Sequence, residues 1–138
     1  MDRERLATQL SFAMEVEQLK QVFRQSLLLG DRRRENDAEH SWHICLMAML
    51  LVEHAAEEVD VLKVLKMLLI HDVVEIDAGD TFTYDAQANL DKEEREQRAA
   101  ERLFNLLPED QAVAYRALWD EFEERHSAEA RYAAALDR

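Results

Sequence analysis

A histidine and an aspartate stand side by side, His71-Asp72, directly after a densely apolar run that includes Val61, Leu62, Val64, Leu65, Leu68 and Leu69. Glu75, Asp77 and Asp80 follow. Ionisable groups at the end of a buried segment are costly unless they are paired, hydrogen-bonded or bound to metal. Neighbouring helical residues are turned by about 100° from one another, so both side chains reach one ion only where it sits off the helix edge between them. Further ligands must then come from elsewhere in the chain. His40 is one candidate, and Asp137, an acid closing the run Tyr132-Ala133-Ala134-Ala135-Leu136, is another. Two imidazoles and two carboxylates suit one divalent transition ion, Mn²⁺, Fe²⁺, Co²⁺, Ni²⁺ or Zn²⁺, better than Ca²⁺ or Mg²⁺, which prefer oxygen ligands. Spacing alone also admits mutually paired polar residues at helix ends.

The elements that must position these residues read as helices throughout. Only two glycines and one proline interrupt 138 residues dominated by Ala, Leu, Glu, Arg and Gln, which lose little side-chain freedom in a helix. Apolar periodicity predicts a first helix over 6–26, closed by Leu27-Leu28-Leu29-Gly30, then a polar loop over 31–37. A second helix over 38–57 carries His40 in its first turn. Asp60 is placed to cap a third, which ends in His71-Asp72. Residues 78–85, with Gly79, read as an ordered loop. A charged helix over 91–107 follows, with Ala99, Leu103 and Leu106 facing inward, and Pro108 suits the first turn of the next. Ser127 can cap a final helix reaching Asp137. The expectation is an all-α single domain over 1–138, a bundle of about six helices around one core.

Composition narrows the function classes. A formal charge of −13 opposes binding a long polyanion, since nucleic-acid affinity comes largely from Lys and Arg neutralising phosphates. No segment approaches the roughly 18 apolar residues of a membrane span, and Met1-Asp2-Arg3-Glu4-Arg5 does not lead into a signal sequence. A cytoplasmic protein with no membrane or nucleic-acid partner is expected. Cys45, the single cysteine, reads as a buried inert thiol. Arg24 and the run Arg32-Arg33-Arg34 supply local positive charge for a small phosphate ester, or else a solvated loop. His43 reads as a packing residue beside His40. His54 and His126 read as surface side chains, Trp42 and Trp119 as core or interface residues, and Tyr84-Asp85 as a cleft lining or a loop cap.

The ordered set His40, His71-Asp72 and Asp137 resembles the HD-domain metal-dependent phosphohydrolases. The stretches Arg34-Glu35-Asn36-Asp37-Ala38-Glu39-His40-Ser41, His71-Asp72-Val73-Val74-Glu75, Gly79-Asp80 and Leu106-Leu107-Pro108 resemble the branch containing the 5'-deoxynucleotidases. The resemblance runs from about Leu19 to Arg138. It implies an HD-domain bundle with metal ligands at His40, His71, Asp72 and Asp137, and a metal-bound water as nucleophile. It further implies proton transfer by Glu75, contact of Asp80 with the sugar or leaving oxygen, and phosphate binding by Arg24, with Arg34 beside it as a second candidate. Related deoxynucleotidases often follow that arginine with tryptophan, whereas this chain reads Phe23-Arg24-Gln25-Ser26, without a base-stacking aromatic after Arg24. Dimers are common in the family, so a homodimer is expected. Members usually continue beyond the position of Asp137, so this chain is expected to lack their last helices and to expose apolar surface.

Hydrolysis of (deoxy)ribonucleoside 5'-monophosphates is therefore the expected reaction. Two alternatives stand beside it. His71-Asp72-Val73-Val74-Glu75 also resembles the motif of the stringent-response alarmone hydrolases, although those usually read Glu-Asp where this chain has Glu75-Ile76. A non-catalytic, nucleotide-sensing helical module would keep the fold without needing the ligands.

Overall fold

The computed structural model describes residues 2–27, 33–79 and 91–138. Helix α1, Arg3–Val16, starts where the Asp2 side chain accepts from the Arg5 amide. The sequence predicts that this helix continues to Ser26, and the structure corrects it. Glu17–Gln21 tightens into a 3-10 turn, Val22 is extended, and Phe23–Leu27 forms strand β1. β1 pairs antiparallel with β2, Arg34–Asn36, with Phe23 opposite Asn36 and Leu27 opposite Arg34. Helix propensity is a weak prior; here a partner strand supplies the backbone hydrogen bonds that a continued helix would have made internally. The consequence is functional, because the ribbon carries Arg24 to Glu35.

Helix α2, Asp37–Leu51, begins in a capping box: the Asn36 side chain accepts from the Glu39 amide, and the Glu39 carboxylate accepts from the Asn36 amide. Arg33 grips the same carboxylate with two nitrogens, at 2.7 and 2.8 Å. The helix therefore starts at a fixed place, which sets His40 in its first turn. Asn36→Ala is expected to cost about 1 kcal/mol, a fall of ~4 °C in melting temperature, read by thermal unfolding. An unchanged melting temperature would mean that the box does not set this end. α2 is shorter than predicted, giving way at Val52–His54 to a 3-10 turn.

Helix α3, Val61–Ile70, is capped by Asp60 as expected and ends with His71 as its C-cap. Residues 71–74 turn, a short helix α4 spans Glu75–Ala78, and Gly79 leaves it at φ +76°, the left-handed region that glycine enters without strain. Helices α5, Lys92–Phe104, α6, Glu109–Glu124, and α7, Ala128–Leu136, complete the described chain. Six helices of nine residues or more are thus described, matching the expected all-α bundle of about six, with one small ribbon added.

α3 is the central rod. It packs on α2, α6 and α7, while α4 packs on α5 and α5 on α6. Two apolar clusters meet along it. Ile70, Val73 and Val74 join Phe12, Leu103, Phe104 and Trp119, whereas Val64, Met67 and Leu68 join Ile44, Ala48, Phe122 and Ala133. His71-Asp72 lies where the rod passes from one cluster to the other. Of the two tryptophans, Trp119 is core but Trp42 is exposed, in a stripe on α2 with Leu46, Met49 and Leu50. His43 is also exposed and stacks on Trp42 instead of packing beside His40. Its position in the second turn faces outward because α2 turns Ile44 and Ala48 to the core. Cys45 is half-buried, its Sγ 3.8 Å from the Leu65 carbonyl, and burial pushes the thiol up. His54 and His126 are on the surface, as expected. Among the described residues, no helix is long and apolar enough to cross a membrane.

Candidate metal centre

Three elements deliver the four candidate ligands to one point. His40 comes from the first turn of α2, His71 and Asp72 from the end of α3, and Asp137 from the C-cap of α7. Asp137 Oδ1 lies 2.7 Å from His40 Nε2 and 3.2 Å from His71 Nε2, and Asp72 Oδ1 lies 3.2 Å from His71 Nε2. His40, His71 and Asp72 present donor atoms that all lie within 4.8 Å of one another. The two imidazole rings are 5.8 Å apart, and the Phe122 ring closes the His71 side at 5.1 Å.

The residues fit a divalent cation. Ligands at about 2.1 Å from an ion and at right angles to each other are separated by about 3.0 Å, and the separations here bracket that value. The second atoms of the rings are held from outside. His71 Nδ1 lies 2.6 Å from the Leu68 carbonyl, to which it donates, so Nε2 is the atom turned to the cluster. Glu35 Oε1 stands 3.2 Å from His40 Nδ1 and plays the same part for that ring. Asp72 Oδ2 is buried with no hydrogen-bond partner among the described residues, and so is Glu75 Oε1. As two carboxylates neither can donate to the other, and a proton or a cation is what satisfies such atoms.

The electrostatics follow from this crowding. Burial disfavours charge on His71, but Asp72, followed by the hydrogen bond and charge of Asp137, outweighs it and pushes the imidazole up to about 9. Burial would raise Asp137, yet hydrogen bonds from His40 and His71 hold its carboxyl well below the usual carboxylate range. Glu75 is driven strongly upward by burial first, then by Asp72 and Asp37. Asp37, fully buried, forms with Asp72 and Glu75 a second group of close carboxylates.

A linkage prediction follows. In the metal-free protein at pH 7, His71 is an imidazolium, whereas ligation needs a neutral Nε2, so metal binding must expel a proton. Affinity for Co²⁺ is expected to rise by about tenfold per pH unit from pH 6 to 8 and to level off above 9. Without metal the sign is opposite. The raised His71 stabilises the fold fully below about pH 6.5, and that contribution is lost as pH rises through 9. Calorimetric titration in buffers of different ionisation enthalpy reads the released proton; a pH-independent affinity would show His71 neutral.

The phosphate-binding candidates part company. Arg24, in β1, stands 3.5 Å from Glu35 and is thus one residue removed from His40. Arg34 is exposed at the start of β2. Glu75 lies beside Asp72. Asp80, Tyr84 and Asp85 lie outside the described residues. The sequence reading missed Glu35 and Asp37, although both stand in the stretch that carries His40.

A helical bundle that gathers His, His-Asp and Asp in this order is the HD-domain class. The chain belongs to that family, whose HD domain model matches residues 16–138. A predicted metal-dependent phosphohydrolase from Magnetospirillum magnetotacticum MS-1 is 61% identical, and its crystal structure superposes with a TM-score of 0.90 over 96% of this chain and 66% of its own. The human 5'-deoxynucleotidase HDDC2 is 31% identical over 94% of this chain and 62% of its own length. A conserved hypothetical protein from Pyrococcus furiosus is 28% identical, with a TM-score of 0.71 over 93% of this chain and 74% of its own. The chain therefore spans 62% of the length of the human relative it matches.

Proposed function

We propose that this chain is a metal-dependent phosphomonoesterase that removes phosphate from (deoxy)ribonucleoside 5'-monophosphates. The observation that carries the reading is the meeting of Asp137 Oδ1 with both Nε2 atoms beside Asp72. The similarity to a predicted metal-dependent phosphohydrolase and to 5'-deoxynucleotidases points the same way.

His40, His71, Asp72 and Asp137 would hold the ion, and two nitrogens with carboxylates favour Mn²⁺, Co²⁺, Fe²⁺, Ni²⁺ or Zn²⁺ over Mg²⁺. Such an ion supplies an activated water at neutral pH and offsets charge on the phosphoryl oxygens. Phe122 and the apolar end of α3 exclude water behind His71, which strengthens every charge interaction in front of it. Arg24 is the phosphate-binding residue, its guanidinium set beside Glu35 at the His40 edge of the cluster. Glu75, buried against Asp72 and Asp37, holds a proton that it can give to the departing oxygen. Asp80 is assigned to the sugar side on resemblance. The exposed stripe Trp42, Leu46, Met49 and Leu50 supports the expected homodimer.

The test is a phosphate-release screen of the metal-free protein reconstituted with each ion, across nucleoside monophosphates, diphosphates and an alarmone. Release from 5'-monophosphates supports the reading. Pyrophosphate from the alarmone would replace it with the alternative hydrolase, and no release from any substrate would leave a nucleotide-sensing module.

A further inference from the structure

α4 is a single turn, Glu75–Ala78, and one turn of helix does not hold itself in water. Tight bonds that skip three residues join it to α3: the amides of Val73, Glu75 and Ile76 donate to the carbonyls of Ile70, Asp72 and Val73. Such a stretch has poorer hydrogen-bond geometry than an α-helix and often marks a hinge. What fixes α4 from outside therefore decides where Glu75 stands against Asp72.

Arg102 fixes it from α5. Its Nε donates to Asp77 Oδ2 at 2.6 Å and its Nη2 donates to Asp77 Oδ1 at 2.8 Å, the two-pronged grip of a guanidinium on a carboxylate. Nη2 also donates to Glu15 Oε1 at 2.6 Å. One side chain thus ties α4 to both α5 and α1. Its base is firm, because Leu103 and Phe104, next in the chain, are core residues. Asp77 comes two residues after Glu75, about 200° round the turn. The grip is therefore on the outer side of α4, while Glu75 meets Asp72 and Asp37 on the inner. The Arg102 side chain is 46% exposed and that of Asp77 32%, a setting in which an ion pair adds little to stability. Its effect on direction is separate, since a small misplacement of a reacting group costs far more in rate than in stability.

We propose that Arg102 is a positioning residue for Glu75: by holding Asp77 it fixes α4 and keeps the Glu75 carboxyl directed at the departing oxygen. This rests on the nucleotidase reading, in which Glu75 hands over a proton, and extends the site to residues that do not face it.

Arg102→Ala and Asp77→Ala are each expected to lower kcat for a nucleoside monophosphate about tenfold, with KM and bound metal within about twofold of the parent. Arg102→Lys, which keeps the charge without the fork, is expected to lose about threefold. In the Glu75→Gln background, Arg102→Ala is expected to change kcat by less than about twofold, because the residue it positions is gone. Arg5→Ala is the control for a structural role. Arg5 makes the same two-pronged bond to Asp110, between α1 and α6. Its loss is expected to shift the melting temperature as much as Arg102→Ala does, by no more than ~4 °C, while kcat stays within about twofold. Amide hydrogen exchange over residues 75–79 of the metal-free protein reads the clamp without turnover, and is expected to speed up about tenfold in Arg102→Ala and Asp77→Ala. In an active protein, unchanged kcat, loss of metal in Arg102→Ala, or a tenfold loss that persists in the Glu75→Gln background overturns the assignment and leaves the nucleotidase reading standing. Faster exchange in a protein that releases no phosphate would keep Arg102 as the residue that holds α4 and overturn the nucleotidase reading. Unchanged exchange in both variants overturns the proposal whatever the turnover.

Discussion

Asp72→Ala is expected to abolish stoichiometric binding of Co²⁺ or Mn²⁺ and to lower phosphate release by at least about 10³-fold, while the protein stays folded. Metal charge stabilisation is worth several kcal/mol, and each 1.36 kcal/mol is a factor of ten in rate. Asp72 is 5% exposed and presents Oδ1 to His71 Nε2 at 3.2 Å, so no other described carboxylate can take its place without moving the end of α3. The fold survives because a buried carboxylate is expensive in itself, and His71 keeps its contacts with Asp137 and Leu68. The melting temperature of the metal-free variant is expected within ~5 °C of the parent. His71, deprived of the charge that contributes most to its elevation, is expected to titrate lower, visible in its imidazole resonances. Asp72→Asn keeps the shape without the charge and is expected to lose metal equally. A variant that binds one equivalent of metal and turns over normally would remove Asp72 from the centre.

Much of this arrangement was readable from residue types at helix ends. Asp60 and Ser127 announce the starts of α3 and α7, and the side chains accept from Lys63 and Ala130 as capping demands. With α7 starting at Ala128, Asp137 falls at its C-cap, and the last turn of α7 brings it to His40. The entry to α2 was equally legible and was passed over. Asn36 followed by Glu39 has the spacing of a capping box, which places the helix start at Asp37 and predicts that 34–36 are extended. Strand β1 carried no such signal. Its pairing with β2 is a tertiary fact, and nothing in Phe23-Arg24-Gln25-Ser26-Leu27 distinguishes it from a helical continuation except the weak helix preference of Val22 and Phe23. Glu35 and Asp37 were hidden for the same reason, since each depends on which distant element packs opposite. The four ligand candidates are far apart in sequence too, but their order resembles a known pattern, and that resemblance stood in for the missing contacts.

Glu75→Gln separates proton transfer from ligation. Ester hydrolysis takes one proton from the attacking water and returns one to the departing oxygen, and a placed carboxyl group contributes about 10²–10⁴-fold to such transfers. The variant is therefore expected to lose about 10²–10³-fold in kcat, with metal stoichiometry unchanged. Stability is expected to move the other way. Burial, then Asp72 and Asp37, raise Glu75 well above an ordinary glutamate, so the folded chain favours its protonated form. A group raised in this way supports the fold most below the unfolded value of about 4.3, and that support is lost as pH climbs above it. Glutamine is neutral at every pH. The metal-free variant should accordingly melt above the parent at pH 8, and the difference should shrink toward pH 4.5. Melting curves of the two metal-free proteins across that range read the effect, and metal analysis of the loaded proteins reads the control. Loss of bound metal in Glu75→Gln would make Glu75 a ligand, and unchanged kcat would take it out of the chemistry. A lower melting temperature at pH 8 would mean that Asp37 and Asp72 need its charge, not its proton.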